Sequence, residues 1–364
     1  MSTTNSEALL HEAPIGTVAS LRLGIVGPML GVNPGWVTTQ GEVLAGLLSD
    51  EGYPVRVTSH IPARLPRLVD TLRSIYAWRG GVDLVIHQIF SGPAFVINDL
   101  SSLLCRALGL RQIYVLHGGS LPEFAVARRR WVRRVLRRAD AIVTPSGYLA
   151  SVFAGAPELA ARIRIIPNSL ALEEYPYRHR PTVRPRLLWM RTFHPIYHPE
   201  MAIDVLADLR RTYPEATLTM AGQEKGMHEQ IQAKVRQMGL ADAVRFPGFL
   251  GPEEKAREFA AHDIYLNTNH VDNMPVSVVE AGAFGLPIVA TRVGGIPYLL
   301  SDGESALLTP DGDVGAMVAA VHRLLEEPGL ASRLSANGRV LAEGCAWESV
   351  RVRWEALFQE VAHA

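Results

Sequence analysis

Two successive halves of doubly wound α/β structure, each built on a parallel sheet, are the architecture this sequence predicts. Three observations carry that prediction. The chain has 364 residues, about twice the length of an ordinary domain. Short apolar runs alternate with stretches of helical length on both sides of its middle, the pattern of strands covered by helices on two faces. Between the halves the alternation stops, and Pro167, Pro176, Pro181 and Pro185 stand among charges and tyrosines, the composition of a linker.

Taken in order, LRLGIVG (21–27) is an apolar run closing in glycine. Val37, Val43, Leu44, Leu47 and Leu48 then recur at helical spacing, with Gly52 as a stop. YPVRVTSH reads as a strand, residues 64–79 as an Arg-spaced helix and VDLVIHQI as the next strand. A helix near 98–108, the strand QIYVLHG, the basic segment 124–138 and the strand ADAIVTPS complete the first half. The alternation restarts at RLLWMR (186–191) and continues through TLTMAGQEKG, VRFPGFLG, HDIYLNTN, PVSVVEAGAFG, LPIVATRVGG and ALLTPDG. A last helix carries Val350, Trp354, Leu357 and Val361 on one stripe and must pack on something. The expected division is a loose tail over 1–20, a first domain over 21–175, a linker over 176–185, a second domain over 186–345 and the final helix over 346–364.

Composition excludes several classes. Hydrophobic residues make up 48% and charged residues 20%, values of a folded globular chain rather than a disordered one. No apolar run is long enough to span a bilayer, and the first twenty residues lack a secretion-signal pattern. Cys105 and Cys345 lie too far apart in sequence for a metal or disulfide spacing. The expectation is a cytoplasmic protein. Its zero net charge hides an asymmetry: residues 1–180 hold 19 Arg against 13 acids, and the remainder 17 Lys+Arg against 23 acids. The basic half is expected to face something anionic.

Ligands of open α/β sheets bind beyond the carboxyl ends of strands, where glycine turns admit phosphate to backbone amides. The turn GPMLGVNPGW, with Gly27, Gly31 and Gly35, fits that description, but taken alone it reads as an ordinary strand–helix turn. It is not G-x-G-x-x-G, and no acidic residue closes the following strand, so a nicotinamide site is not supported. The segment 270–297 says more. Pro275 suits the start of a helix over 275–283, with Asp272 just before it and Glu280 inside it. The free N–H groups of Val276 to Val278 are expected to face the cleft.

The string D-NMPVSVV-E-AGAFGLPIVAT resembles the E-x(7)-E motif, followed by A-x-A-x-G-x-P-V-V-A-T, of family-4 glycosyltransferases. Gly35, VLHGGS, ADAIVTPS, IRIIPNS, LTMAG, VRFPGFL and LLTPDGD follow that family's order and spacing. The resemblance implies a GT-B fold: two facing Rossmann-like domains, with a C-terminal helix crossing back to the N-terminal domain. It implies a retaining, metal-independent transferase that takes a nucleoside-diphosphate sugar and gives an α-linked product, with no cofactor and the departing phosphate accepting the acceptor's proton. By position, Glu280 would hold the ribose, and Asp272 and His117 the donor sugar. Gly35, with Trp36 beside it, would meet the diphosphate, which Arg191 would clamp. Asn273, Met274, Pro275 and Val276 would turn amides towards the sugar, and Phe249 and Leu250 would meet the base. Asp272 is one methylene shorter than the family's glutamate, and Trp36 replaces a glycine. Tyr197 stands where the clamp usually has lysine, so the clamp reads R-x-x-x-P-x-Y, with Lys225 a candidate for the missing charge. The alternatives are a degenerate GT-B protein that binds a nucleotide or partner without transfer, and a nucleotide-sugar epimerase.

His194 and His198 flank Pro195 and read as loop histidines rather than a metal pair. Asp311 and Asp313 spell D-x-D, but Asp313 reads as a helix N-cap. Ser146 lacks a hydrolase nucleophile's setting. Seven arginines between 128 and 138 surround Trp131, Val132, Val135 and Leu136, either a helix lying on anionic lipid or a solvated helix packed on the sheet. The first reading makes the protein peripheral on the inner membrane face. Nucleic acid is not an expected partner.

Overall fold

The computed structural model describes residues 21–33 and 35–363, so the tail expected over 1–20 lies outside the described residues. The first half runs β1 (Leu23–Val26), α1 (Gln40–Asp50), β2 (Val55–Val57), α2 (Arg64–Ala77), β3 (Leu84–Ile89), α3 (Ala94–Ala107) and β4 (Arg111–Leu116). It continues with α4 (Leu121–Ala127), α5 (Arg129–Leu136), β5 (Ala141–Thr144), α6 (Gly147–Val152), α7 (Pro157–Ala160) and β6 (Ile163–Ile165). The second half runs β7 (Arg186–Met190), α8 (Pro199–Leu209), β8 (Thr217–Ala221), α9 (His228–Gln237), β9 (Val244–Gly248), α10 (Pro252–Ala261) and β10 (Ile264–Asn267). Then come α11 (Val276–Ala283), β11 (Ile288–Thr291), α12 (Ile296–Leu299), β12 (Leu307–Thr309), α13 (Val314–Glu326), α14 (Leu330–Glu343) and α15 (Trp347–His363).

The strands form two six-stranded sheets, ordered β2-β1-β3-β4-β5-β6 and β12-β11-β10-β7-β8-β9. All pairings within them are parallel. In the first sheet the order reverses between β1 and β3, and in the second between β7 and β10. A loop pair that diverges at such a switch leaves a crevice at the strands' carboxyl ends. Residues leaving β7 and β10 therefore meet across a gap that sequence distance alone hides.

The first helix begins at Gln40, so Val37 lies outside it and is half exposed. The reason is local: Thr39 caps α1 with a full capping box to Glu42. The basic segment is two helices, broken where Arg128 leaves helical geometry. Helix α15 returns to the first sheet, burying Trp347, Val350, Trp354, Leu357, Phe358 and Val361 against Leu23, Ile25 and Ile113. Such side chains contribute about 1.5–3 kcal/mol each in gross burial. Glu51 anchors it further, accepting from Trp347 Nε1 at 3.0 Å and Arg351 at 2.5 Å.

Candidate active site

Arg191 leaves β7 at the switch point of the second sheet. Its Nη2 donates to Asp272 Oδ2 at 2.5 Å, its Nη1 to Ser277 Oγ at 3.2 Å, and the guanidinium lies 4.1 Å from the centre of the Tyr197 ring. Burial is the largest single influence and opposes that charge, but Asp272, Tyr197, Tyr265 and Glu280 together outweigh it, and the pKa of Arg191 is raised. Among the described residues its Nε is buried without a partner. Tyr197 thus supplies a π-face to the arginine.

Three glycines make this seat. At Gly222, with φ +147°, a Cβ would stand 1.9 Å from the Arg191 carbonyl oxygen. At Gly294 and Gly295 it would stand 2.1 and 1.8 Å from the carbonyls of Asp272 and Asn273. Only glycine lets these backbones close. The VGG string was visible in sequence; its partner across the fold was not.

Asp272 also accepts from Asn269 at 2.7 Å and from the Asn273 amide at 2.8 Å. Several expected details change here. Helix α11 starts at Val276, with Pro275 as its cap, and the Val278 amide is already bonded to the Pro275 carbonyl. It is therefore not among the free N–H groups. The Asn273 amide is likewise taken. Met274 turns into a small apolar cluster with Leu170 and Val279, and its carbonyl accepts from Asn168.

Glu280 is buried on α11, where its Oε1 accepts from Lys255 Nζ at 2.6 Å and from the Tyr175 hydroxyl at 3.2 Å. Lys255 comes from α10 and Tyr175 from the end of the first half, just before the linker, and the motif reading found neither. Tyr175 sits beside the linker's prolines and Lys255 in an ordinary charged helix, so no pattern marks them.

The first half supplies the facing wall. His117 follows β4, is buried, and shares a 2.6 Å hydrogen bond between its Nε2 and Gln88 Oε1 while stacking on Phe90 at 5.0 Å. Burial brings its pKa down to about 4, so the ring is neutral at pH 7. The halves meet closely: a Cβ on Gly119 would lie 3.1 Å from Asp272 Cα, and Ser146 donates to Asn273 Oδ1 at 2.5 Å. Gln223 donates to the Gly35 carbonyl at 2.8 Å, and Lys225 lies 5.0 Å over Trp36. A cavity of about 310 Å³ between the loops is lined by Gly35, Phe193, Gly222, Gln223, Glu224 and Phe249, among others. Leu250 packs beside the Phe259 cluster rather than lining it.

The loop histidines and the D-x-D residues sort differently from their sequence pairs. His194 caps the turn at 195–197, and Asp313 caps α13. His198, His270 and Asp311 come together instead.

On the basic helix, Arg133 and Arg137 pair with Glu158, and Arg134 and Arg138 with Asp99. Trp131 turns inward onto Phe95 and donates to Asp99. Among the described residues, Arg128, Arg129 and Arg130 are exposed and have no carboxylate partner. No helix among the described residues is long and apolar enough to cross a membrane.

Two family profiles match the chain: Glycosyltransferase Family 4 over residues 36–174 and Glycosyl transferases group 1 over 178–341. The chain is 25% identical to a D-inositol 3-phosphate glycosyltransferase of Acidothermus cellulolyticus, over 80% of this chain and 66% of that protein. It is 26% identical to a GDP-mannose-dependent alpha-(1-6)-phosphatidylinositol monomannoside mannosyltransferase of Mycolicibacterium smegmatis, over 70% and 71%. The matched region thus spans about two-thirds of these relatives. The fold is that of the Anabaena HepE protein crystallised with UDP, at a TM-score of 0.72 and 16% identity, covering 93% of this chain and 100% of that one.

Proposed function

Because the chain belongs to the GT4-type glycosyltransferases of GT-B fold, we propose that it moves a sugar from a nucleoside-diphosphate donor to an acceptor, with retention and an α-linkage. The observation that carries this reading is the Arg191 seat. A guanidinium with one unspent donor, held at the sheet's switch point beside the start of α11, is built to receive a diphosphate. As the leaving group departs, charge builds on its β-phosphate, and a preorganised cation beside it lowers that barrier. Binding exchanges Asp272 for phosphate oxygens and frees its carboxylate for the donor sugar's hydroxyls. Glu280, oriented by Lys255 and Tyr175, accepts from the ribose. Gly35 and Phe249 line one cavity, which suits a diphosphate entering between the halves and a base against the second. Neutral His117 faces the sugar as a hydrogen-bonding group. In this reading protein groups meet the leaving charge.

A nucleotide-sugar panel tests it. The fitting donor raises the melting temperature, since a ligand at a hundredfold excess over Kd stabilises by about 2.7 kcal/mol. Slow hydrolysis to the nucleoside diphosphate then accompanies binding. Binding with no hydrolysis or transfer overturns the reading in favour of a binding protein, and isomerised donor in favour of an epimerase.

The acceptor side rests on the exposed Arg128, Arg129 and Arg130, beside exposed Val126, which suit an anionic lipid surface. Changing these three to Gln removes about 1 kcal/mol each of attraction to anionic vesicles. Changing the paired Arg133 and Arg137 has less effect. Wild-type protein that ignores phosphatidylglycerol vesicles at low salt makes the acceptor soluble.

A further inference from the structure

We propose that His198, His270 and Asp311 form a binding site for one divalent transition-metal ion of the zinc or nickel type. The three residues come from separate loops at the carboxyl ends of β7, β10 and β12, and one ligand atom of each lies within 4.8 Å of the other two. Two imidazoles and one carboxylate are the donor set of zinc and its neighbours, leaving further positions to water; magnesium and calcium prefer all-oxygen sets.

The cluster is held in place before any ion arrives. His270 Nδ1 lies 2.8 Å from Asp311 Oδ1, and the His198 and His270 rings stack at 4.1 Å. The His270 amide donates to the Ile196 carbonyl at 2.9 Å, and Thr268 Oγ1 to the Tyr197 carbonyl at 2.7 Å, which lock the two histidine loops together. Among the described residues, His198 Nδ1 is buried with no hydrogen-bond partner. A buried acceptor or donor left unmade is costly, and such orphans mark unexplained function. His198 also sits at φ +45°, a left-handed conformation that strains a non-glycine residue. Both features fall on His198, which follows Tyr197 directly, while His270 stands two residues before Asp272, so the cluster adjoins the seat through both loops. An ion here would tie together the loops that carry Tyr197 and Asp272. The site does not depend on the donor reading above.

The test uses the tag-free full chain, stripped with chelator and titrated with zinc by calorimetry and with cobalt(II) by visible absorption. One ion per chain binds, the cobalt spectrum shows low-coordinate nitrogen ligation, and zinc raises the melting temperature. His270→Ala and Asp311→Asn each weaken binding at least tenfold. His198→Asn does the same while keeping the backbone, because asparagine tolerates the left-handed region. His194→Asn, on the same loop but outside the cluster, leaves affinity unchanged. Absence of saturable zinc binding in wild type overturns the site, as does equal affinity in the His198→Asn/His270→Ala double variant.

Discussion

Two arginines close together in sequence, Arg180 in the linker and Arg191 in the cleft, are both largely buried and are used in opposite ways. Arg180 is 2% exposed and spends its guanidinium on backbone carbonyls: Arg178 and Phe284 at 2.8 and 2.6 Å, Phe259 at 2.7 Å, and His262 at 3.2 and 3.0 Å. Among the described residues no carboxylate bonds to it. Arg191 is held by a carboxylate, a hydroxyl and an aromatic face, all side chains that can let go, and keeps its Nε unspent. Carbonyls of packed backbone cannot be exchanged for a ligand. A structural arginine saturates itself with partners that do not move; a functional one is balanced by partners that do.

The largest expected effect breaks the linker side of this comparison. Arg180→Met leaves the carbonyls of Arg178, Phe259, His262 and Phe284 without that donor, and costs about 3–5 kcal/mol, read as a lower urea midpoint. Arg191→Met costs less stability, because Asp272 keeps Asn269 and the Asn273 amide. A reversed order of midpoints would mean the two roles are misassigned.

Next in size is turnover. Arg191→Met lowers kcat by about 100- to 1,000-fold, as loss of a preorganised transition-state donor does, with a smaller loss in nucleoside diphosphate affinity. Lys225→Ala, removing an exposed cation over Trp36, costs only about 0.5–1 kcal/mol. Should Lys225→Ala do more harm than Arg191→Met, the diphosphate sits on the other loop.

Glu280→Gln sharpens the contrast on α11. A charge-assisted hydrogen bond contributes about 1.5–3 kcal/mol, so free nucleoside diphosphate binds about tenfold or more weakly, by calorimetry. Unchanged affinity removes Glu280 from the ribose.

A separate comparison, set by solvent rather than by substitution, concerns pH. Both arginines stay charged, whereas His87 inside β3 and His117 on the facing wall are buried and neutral, their pKa values brought by burial to about 3 and about 4 from 6.5. The unfolded chain takes up these protons first. Stability is therefore full above pH 6.5 and falls as pH drops towards 4, by up to about 1.4 kcal/mol per pH unit for each ring. Urea midpoints at several pH values check this, and His117→Asn flattens the slope. A wild-type midpoint that does not move over that range contradicts neutral burial.

Much of the fold was legible because periodicity and glycine punctuation are local. The alternating runs mark both sheets, and the stripe Val350, Trp354, Leu357 and Val361 announces a helix needing a second domain to cover it. Asp272 and Glu280 stood out through the resemblance of the D-x(7)-E string to the family motif, the first before a helix and the second inside it. Helix ends were less legible: Val37 looks helical by period, and the Thr39 cap decides otherwise.

What the residues alone determined is most of the strands and helices (β6, α6 and α7 are not among them), their division into halves, and the chemistry available at each strand's end. What only the tertiary structure decided is which of those groups meet. Arg191 finds Asp272, Glu280 finds Lys255 and Tyr175, and His198 abandons His194 for His270 and Asp311. The physical reason is the parallel sheet. Each crossover returns the chain to the same edge, so residues far apart in sequence converge at the carboxyl ends, and the strand order that chooses neighbours is written in no local pattern.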